Sequence, residues 1–204
     1  MALFLQMNYL AHAFLSFNDP DILTGNMISD FVKGKRKTEY PFSIQKGIHL
    51  HRLIDQFTDT HEVTAKAKEF FRPQYRLYSG AFVDIVYDHF LALDNLQFVN
   101  YPGLKKFTEI SYQQLSKNSA FFPLPFQKMF PYMKTQNWLY NYRLKEGISK
   151  SFEGLVYRAA YLYESVVAFQ IFNEKYRELE NCYLDFFPEL KAYALKELSN
   201  LSSE

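Results

Sequence analysis

The sequence is short of several things, and each shortage closes off a class of protein. One cysteine, Cys182, stands among 204 residues. An internal disulfide is therefore excluded, and a reducing compartment is expected. Seven glycines and eight prolines leave long stretches free for uninterrupted helices. Period-2 alternation is scarce, so all-α is the expected class. No apolar run approaches the roughly 20 residues needed to span a bilayer. The opening Met1-Ala2-Leu3-Phe4-Leu5 lacks the basic start and long apolar core of a signal peptide, so a cytoplasmic protein without a membrane partner is expected. A formal net charge of +1 carries no general nucleic-acid signature. Walker loop, dinucleotide glycine motif, CxxC and HExxH are all missing. Cys182 lies far in sequence from all five histidines, which argues against Cys/His nucleophilic catalysis.

What is present points to one helical domain over 1–204, with an ordinary balance of 48% apolar and 22% charged residues. The load of 21 Phe and 16 Tyr implies a large core. A first helix is predicted over 4–17, ended by Asn18-Asp19-Pro20. Asp19 then caps a second helix, with Pro20 at its first position, running to about Phe31. The basic run Lys33-Gly34-Lys35-Arg36-Lys37 follows as a loop. A third helix begins at Pro41-Phe42-Ser43, capped by Ser43, and reaches Phe57 or Asp59; Thr60 caps a continuation to Phe71 that Arg72-Pro73 ends. A fourth, over 79–92, is apolar on almost every face yet carries Asp84, Asp88 and His89. Later helices are predicted from Pro102 and near 124–134, 135–142, 147–162 and 165–186, with Pro188 preceding a last one to about Leu201.

The chemistry gathers in the segment from Gly47 to His61, which holds three of the five histidines. Leu50, Leu53, Ile54 and Phe57 follow i, i+3, i+4, i+7, so the segment reads as an amphipathic helix. His51 and Asp55 share one flank of it, an imidazole and a carboxylate suited to a divalent metal. The pattern repeats in each of the first four helices: Asn8/His12, Asn26/Asp30, His51/Asp55 and Asp84/Asp88 are all four apart. Two carboxylates on the all-apolar fourth helix are expected to be buried, and they repel unless a cation or a proton lies between them. Salt bridges to Arg52 or Arg72 are the structural alternative. His61 is equally a helix cap, and Asp59 falls opposite the apolar stripe as a surface residue.

The segments Asn8–His12, Gly25–Gly34 and Gly47–Asp55, with Asp84-Ile85-Val86-Tyr87-Asp88-His89-Phe90-Leu91, resemble the acyl carrier protein phosphodiesterase family. Trp138-Leu139-Tyr140-Asn141-Tyr142-Arg143 and Phe186-Phe187-Pro188 resemble it more loosely. The resemblance implies an all-helical, HD-domain-like bundle using manganese, or another divalent ion such as Mg2+ or Fe2+. It implies removal of the 4′-phosphopantetheine arm from holo acyl carrier protein. The HD dipeptide itself is absent; the nearest sequence is the reversed Asp88-His89. On this reading His12, Asp30, His51, Asp55 and Asp88 are metal ligands, and His89, His61 and Asp84 are catalytic candidates. Asn26, Lys33, Arg52, Lys35 and Arg36 are the substrate-side candidates, the basic run steering an acidic carrier protein. Two rivals stand beside it. One is an HD-type metal phosphohydrolase acting on a nucleotide or another small phosphate ester. The other is a non-enzymatic binding module whose histidines and acids form core ion pairs.

Overall fold

The computed structural model describes residues 9–202. Among them are eleven α-helices and no strand. In chain order these are α1 Tyr9–Phe14, α2 Pro20–Ile28, α3 Phe42–Thr60, α4 Glu62–Tyr75, α5 Ser79–Leu93 and α6 Asn100–Lys117. They continue as α7 Leu124–Thr135, α8 Trp138–Asn141, α9 Lys145–Arg158, α10 Val166–Glu174 and α11 Tyr176–Ser202. The fold class read from the glycine, proline and periodicity pattern is the observed one.

The fifth helix is the hub. Twelve of its residues are buried, and α1, α4, α9 and α11 pack around it. Its apolar surface on nearly every side is what a central helix requires. Phenylalanines carry the packing outward: Phe71 of α4 stacks on Phe82 of α5, which meets Phe152 of α9, which meets Phe172 of α10. The aromatic load therefore fills the spaces between helices.

Several boundaries follow the sequence chemistry. Asp19 caps α2 by accepting from the Asp21 and Ile22 amides, with Pro20 opening the helix. Others differ, each for a visible reason. Helix α1 ends at Phe14, short of residue 17, because Phe17 and Asn18 adopt left-handed φ of 49° and 64°. Asn8 lies outside the described residues. Asp30 sits in a 3-10 turn over Ser29–Phe31, so it does not share a continuous α-helix with Asn26. The basic run forms an exposed 3-10 helix over Gly34–Glu39 in place of a loop. Pro41, not Ser43, takes the cap position of α3, and the Ser43 hydroxyl donates to Asp21 of α2 at 2.7 Å. His61, not Thr60, caps α4 by accepting from the Val63 amide, while Thr60 donates back to the Gln56 carbonyl.

Two prolines fail to break their helices. Pro73 lies inside α4 and Pro188 inside the 27-residue α11; the chain breaks instead at Lys175. The carbonyls that lose a partner belong to Glu69 and Leu184, both exposed, where water replaces the missing N–H. Burial of Phe186, Phe187 and Leu190 around Pro188 holds the rest of the helix in register.

The tightest contact is between α2 and α3. A Cβ added to Gly25 would lie 2.1 Å from the Ile44 carbonyl oxygen and 2.8 Å from the Gly47 Cα. One added to Gly47 would lie 2.3 Å from the Ile22 carbonyl oxygen. Backbone meets backbone here, so no side chain can move aside. Gly47→Ala is therefore expected to cost at least about 2 kcal/mol, at the upper end of overpacking effects. Gly34→Ala, with open space around it at φ +57°, should cost only the left-handed strain of about 1–2 kcal/mol. Urea denaturation of the two variants compares them; equal midpoints would contradict the close crossing.

Candidate metal centre

The close crossing sets what faces what. Asn26 follows Gly25 directly, and His51 lies one turn beyond Gly47 on the same face of α3. Helix α1 adds His12. The 3-10 turn after α2 adds Asp30, and α3 adds Asp55 one turn past His51. These four residues from three elements converge. The His51 Nε2 lies 3.2 Å from Asp30 Oδ1 and 3.1 Å from Asp55 Oδ2. The His12 Nε2 lies 3.2 Å from Asp55 Oδ1. The two imidazoles stack with centroids 3.9 Å apart. Potential ligand atoms of His12, His51 and Asp55 all fall within 4.8 Å of one another.

The hydrogen bonds around His12 settle its tautomer. Asn26 donates its amide to the His12 carbonyl oxygen and to Ser16 Oγ, at 3.0 and 3.1 Å. Its Oδ1 must then be the atom 2.9 Å from His12 Nδ1, and it accepts the proton there. Neutral His12 thus presents a lone pair on Nε2 to a lone pair of Asp55 Oδ1. Burial, and then the charge of His51, lower the pKa of His12, so protonation is disfavoured. His12 Nε2 and Asp55 Oδ1 are both buried without a hydrogen-bond partner. A divalent cation between them removes the conflict. Two imidazoles with two nearby carboxylates are also a donor set that borderline divalent ions accept. The residues fit a metal.

His51 carries the charge in the metal-free protein. Its burial opposes protonation, but Asp55 and Asp30 outweigh that and push it up to about 10. Burial alone would raise Asp55; the charge of His51 and its hydrogen bond hold it well below the ordinary carboxylate range. An imidazolium flanked by two carboxylates is a proton standing where a cation can go.

The chain shows its family at this point. The family model described as acyl carrier protein phosphodiesterase matches residues 7–190. The chain belongs to that family. The acyl carrier protein phosphodiesterase of Yersinia pestis is 32% identical over 188 residues, 92% of this chain and 97% of that one. The one from Photorhabdus laumondii is 30% identical, over 89% of this chain and 92% of its own. No solved structure matches the chain. The span shared with the family takes in all four clustered residues, and Asp84, Asp88 and His89 as well.

Those last three are not drawn into the cluster. Asp88 is fully buried and accepts the Leu10 and Ala11 amides at 2.9 and 2.8 Å. Its carboxyl is raised by burial against the pull of those amides and of a hydrogen bond with Tyr142. It therefore anchors the start of α1 and positions His12, and it lies outside the cluster of His12, His51 and Asp55. Asp84 turns toward a void of about 10 Å³, also lined by Ala11, Ile54, Thr58 and Tyr87, large enough for one water. Burial and then the charge of Asp55 raise it well above the usual range. The two acids have different surroundings, and Arg72 and Arg52 turn instead to Glu69 and the Val32 carbonyl. His89 is held between the Tyr142 carbonyl at 2.7 Å and the Tyr176 hydroxyl at 3.0 Å. His61 caps α4, packs on Phe57 and Phe186, and faces Glu189 at 3.4 Å. Neither histidine has a partner in the cluster.

The substrate-side candidates divide. Asn26 lies directly behind His12. Arg52 is exposed and donates to the Val32 carbonyl at 3.1 Å, so it stands at the edge where Asp30 joins α3. Lys33, Lys35 and Arg36 lie on the exposed surface just beyond Asp30, Arg36 beside Glu39. Sequence reasoning named Tyr142 within the Trp138–Arg143 block but missed its role: its hydroxyl takes up the Tyr9 amide and bonds Asp88. No acid or histidine pattern marks such a residue.

Replacing Asn26 by Leu frees the His12 ring to change tautomer. Divalent-metal affinity should fall about 10–100-fold, as for other partners of metal-bound histidine, when measured by calorimetric titration. Unchanged affinity would contradict the tautomer argument. Below about pH 10 a proton occupies His51, and an incoming cation must displace it. Apparent affinity should then rise with pH through the neutral range, and the binding heat should vary with the ionisation enthalpy of the buffer. A buffer-independent heat would show that no proton leaves.

Proposed function

We propose that this protein is a metal-dependent phosphodiesterase that removes the 4′-phosphopantetheine arm from holo acyl carrier protein. Family membership over nine-tenths of the chain supports the substrate. The facing lone pairs of His12 and Asp55, 3.2 Å apart, carry the metal dependence.

His12, His51 and Asp55 would hold the ion, with Asp30 beside His51. A divalent ion there, manganese by the family resemblance, would supply a water acidified toward neutral pH and neutralise charge on the phosphodiester. The chain's own groups do the rest. Asn26 keeps the His12 lone pair aimed inward, and Asp88 keeps α1 in place. Arg52, at the rim, is the nearest exposed guanidinium in α3 and would take a phosphate oxygen. The exposed Lys33, Lys35 and Arg36, with the half-buried Lys37, would draw in an acidic partner and orient it. In the reaction, water adds to phosphorus and the bond from phosphorus to the carrier serine oxygen breaks. That oxygen takes a proton, and the arm leaves as a phosphomonoester. The reducing compartment expected from one cysteine suits a carrier whose arm ends in a thiol.

Intact mass spectrometry of holo acyl carrier protein tests this directly. Incubation with the protein and manganese should remove the phosphopantetheine mass, and a chelator should prevent the loss. An unchanged mass with metal bound would discard the substrate; loss in the presence of chelator would discard the metal.

A further inference from the structure

One hollow of the fold serves none of the roles above. It is a cavity of about 360 Å³ between α8 and α9, walled by Trp138, Tyr142, Leu144, Lys150, Ser151 and Arg158. That volume is at the lower end of small-molecule sites, and the mixture of apolar walls with a few polar groups is theirs too. It runs beside α9 from Gly147 to Arg158, eleven residues or about 16 Å at the helical rise.

One end of the cavity is tied to the start of α1, the helix that carries His12. Tyr142, in its wall, is the residue whose hydroxyl bridges the Tyr9 amide and Asp88 at the start of α1. The Tyr9 hydroxyl in turn feels the charges of both Asp30 and Arg158. Arg158 therefore marks the near end, and Lys150 lies about two turns farther along α9. The close approach of this wall is built in, since a Cβ on Gly147 would lie 2.1 Å from the Asn141 carbonyl oxygen.

We infer that this cavity receives the pantetheine arm of the substrate, a flexible chain of two amides, a hydroxyl and two methyl groups. This inference rests on the function proposed above. The arm's extended length is similar to that of the cavity. Its dimethyl and methylene groups suit Trp138, Tyr142 and Leu144, and its amides suit Ser151 and the polar rim. The phosphate end then lies toward Arg158 and the metal centre, and the thiol end toward Lys150. Seating the arm here would leave the carrier protein outside the cavity.

Pantetheine without its phosphate is the probe, because it takes no part of its affinity from the metal. Gly154 lies in the cavity wall, and Gly154→Leu fills the space while improving helix propensity. Calorimetry should show pantetheine binding to the manganese-loaded wild type and at least tenfold weaker binding to Gly154→Leu, with manganese affinity unchanged. Ser151→Phe is the second variant, should the first fail to fold by circular dichroism. Hydrogen exchange on the wild type, with and without pantetheine, reads the same question without any substitution, as protection confined to 136–158. Absence of pantetheine binding, equal binding by a folded variant, or protection elsewhere would overturn the assignment. The function itself is tested apart from this, by turnover of holo acyl carrier protein in the wild type. Turnover with no pantetheine binding removes the cavity and keeps the activity; binding with no turnover does the reverse.

Discussion

The candidate site depends on two helices crossing with nothing between their backbones. Gly25 and Gly47 bring α2 and α3 so close that a single added methyl on either would overlap a carbonyl oxygen. That closeness puts Asp30 against His51, and it brings Asn26, with the His12 ring it orients, up to Asp55. A wider crossing would leave the same side chains on the same helices and separate their functional atoms. Metal ligation tolerates only a few tenths of an ångström, so the glycines are part of the site although neither has a side chain to offer it.

The second requirement is that α1 stay where it is. Asp88 holds it by accepting the Leu10 and Ala11 amides, and Tyr142 takes up the Tyr9 amide. The buried carboxyl is thereby satisfied by hydrogen bonds without a cation. Charge in the cluster itself is balanced differently. One imidazolium, His51, faces Asp30 and Asp55, while His12 remains neutral beside it with its lone pair turned inward. With His51 protonated, a proton stands in the position that a divalent ion would take, which ties loading to pH.

Much of this was legible in the sequence. The i, i+4 pair His51/Asp55 and the apolar stripe beside it placed both groups on one flank of α3, and the structure has them there. His12 and Asp30 were drawn in because each also belonged to such a pair, and they do converge on His51 and Asp55. Asp84/Asp88 showed the same spacing with a different outcome. Spacing fixes the face of a helix, not the direction of each carboxyl, and Asp88 was claimed by amides 77 and 78 residues away in sequence. The prolines at 73 and 188 misled for a related reason. Their local cost is real, but it falls on exposed carbonyls, and packing on either side outweighs it. The cap of α4 passed from Thr60 to His61 because α3 runs to Thr60, three residues past the last member of its apolar pattern, Phe57. Tyr142 stood in the sequence only within a loosely matching block, and nothing marked its role or the cavity along α9, since hydroxyl bridges and empty space have no periodicity.

Family membership supplies the substrate, and geometry supplies the reason for a metal; the two meet in the contact between His12 and Asp55. The most direct test of that meeting is an anomalous difference map at the manganese edge from crystals grown with the ion. The account predicts one dominant peak within bonding distance of His12 Nε2 and an Asp55 oxygen, with His51 turned to the same ion. A peak at Asp84 or Asp88 instead, or no peak near His12 at full manganese loading, would contradict it.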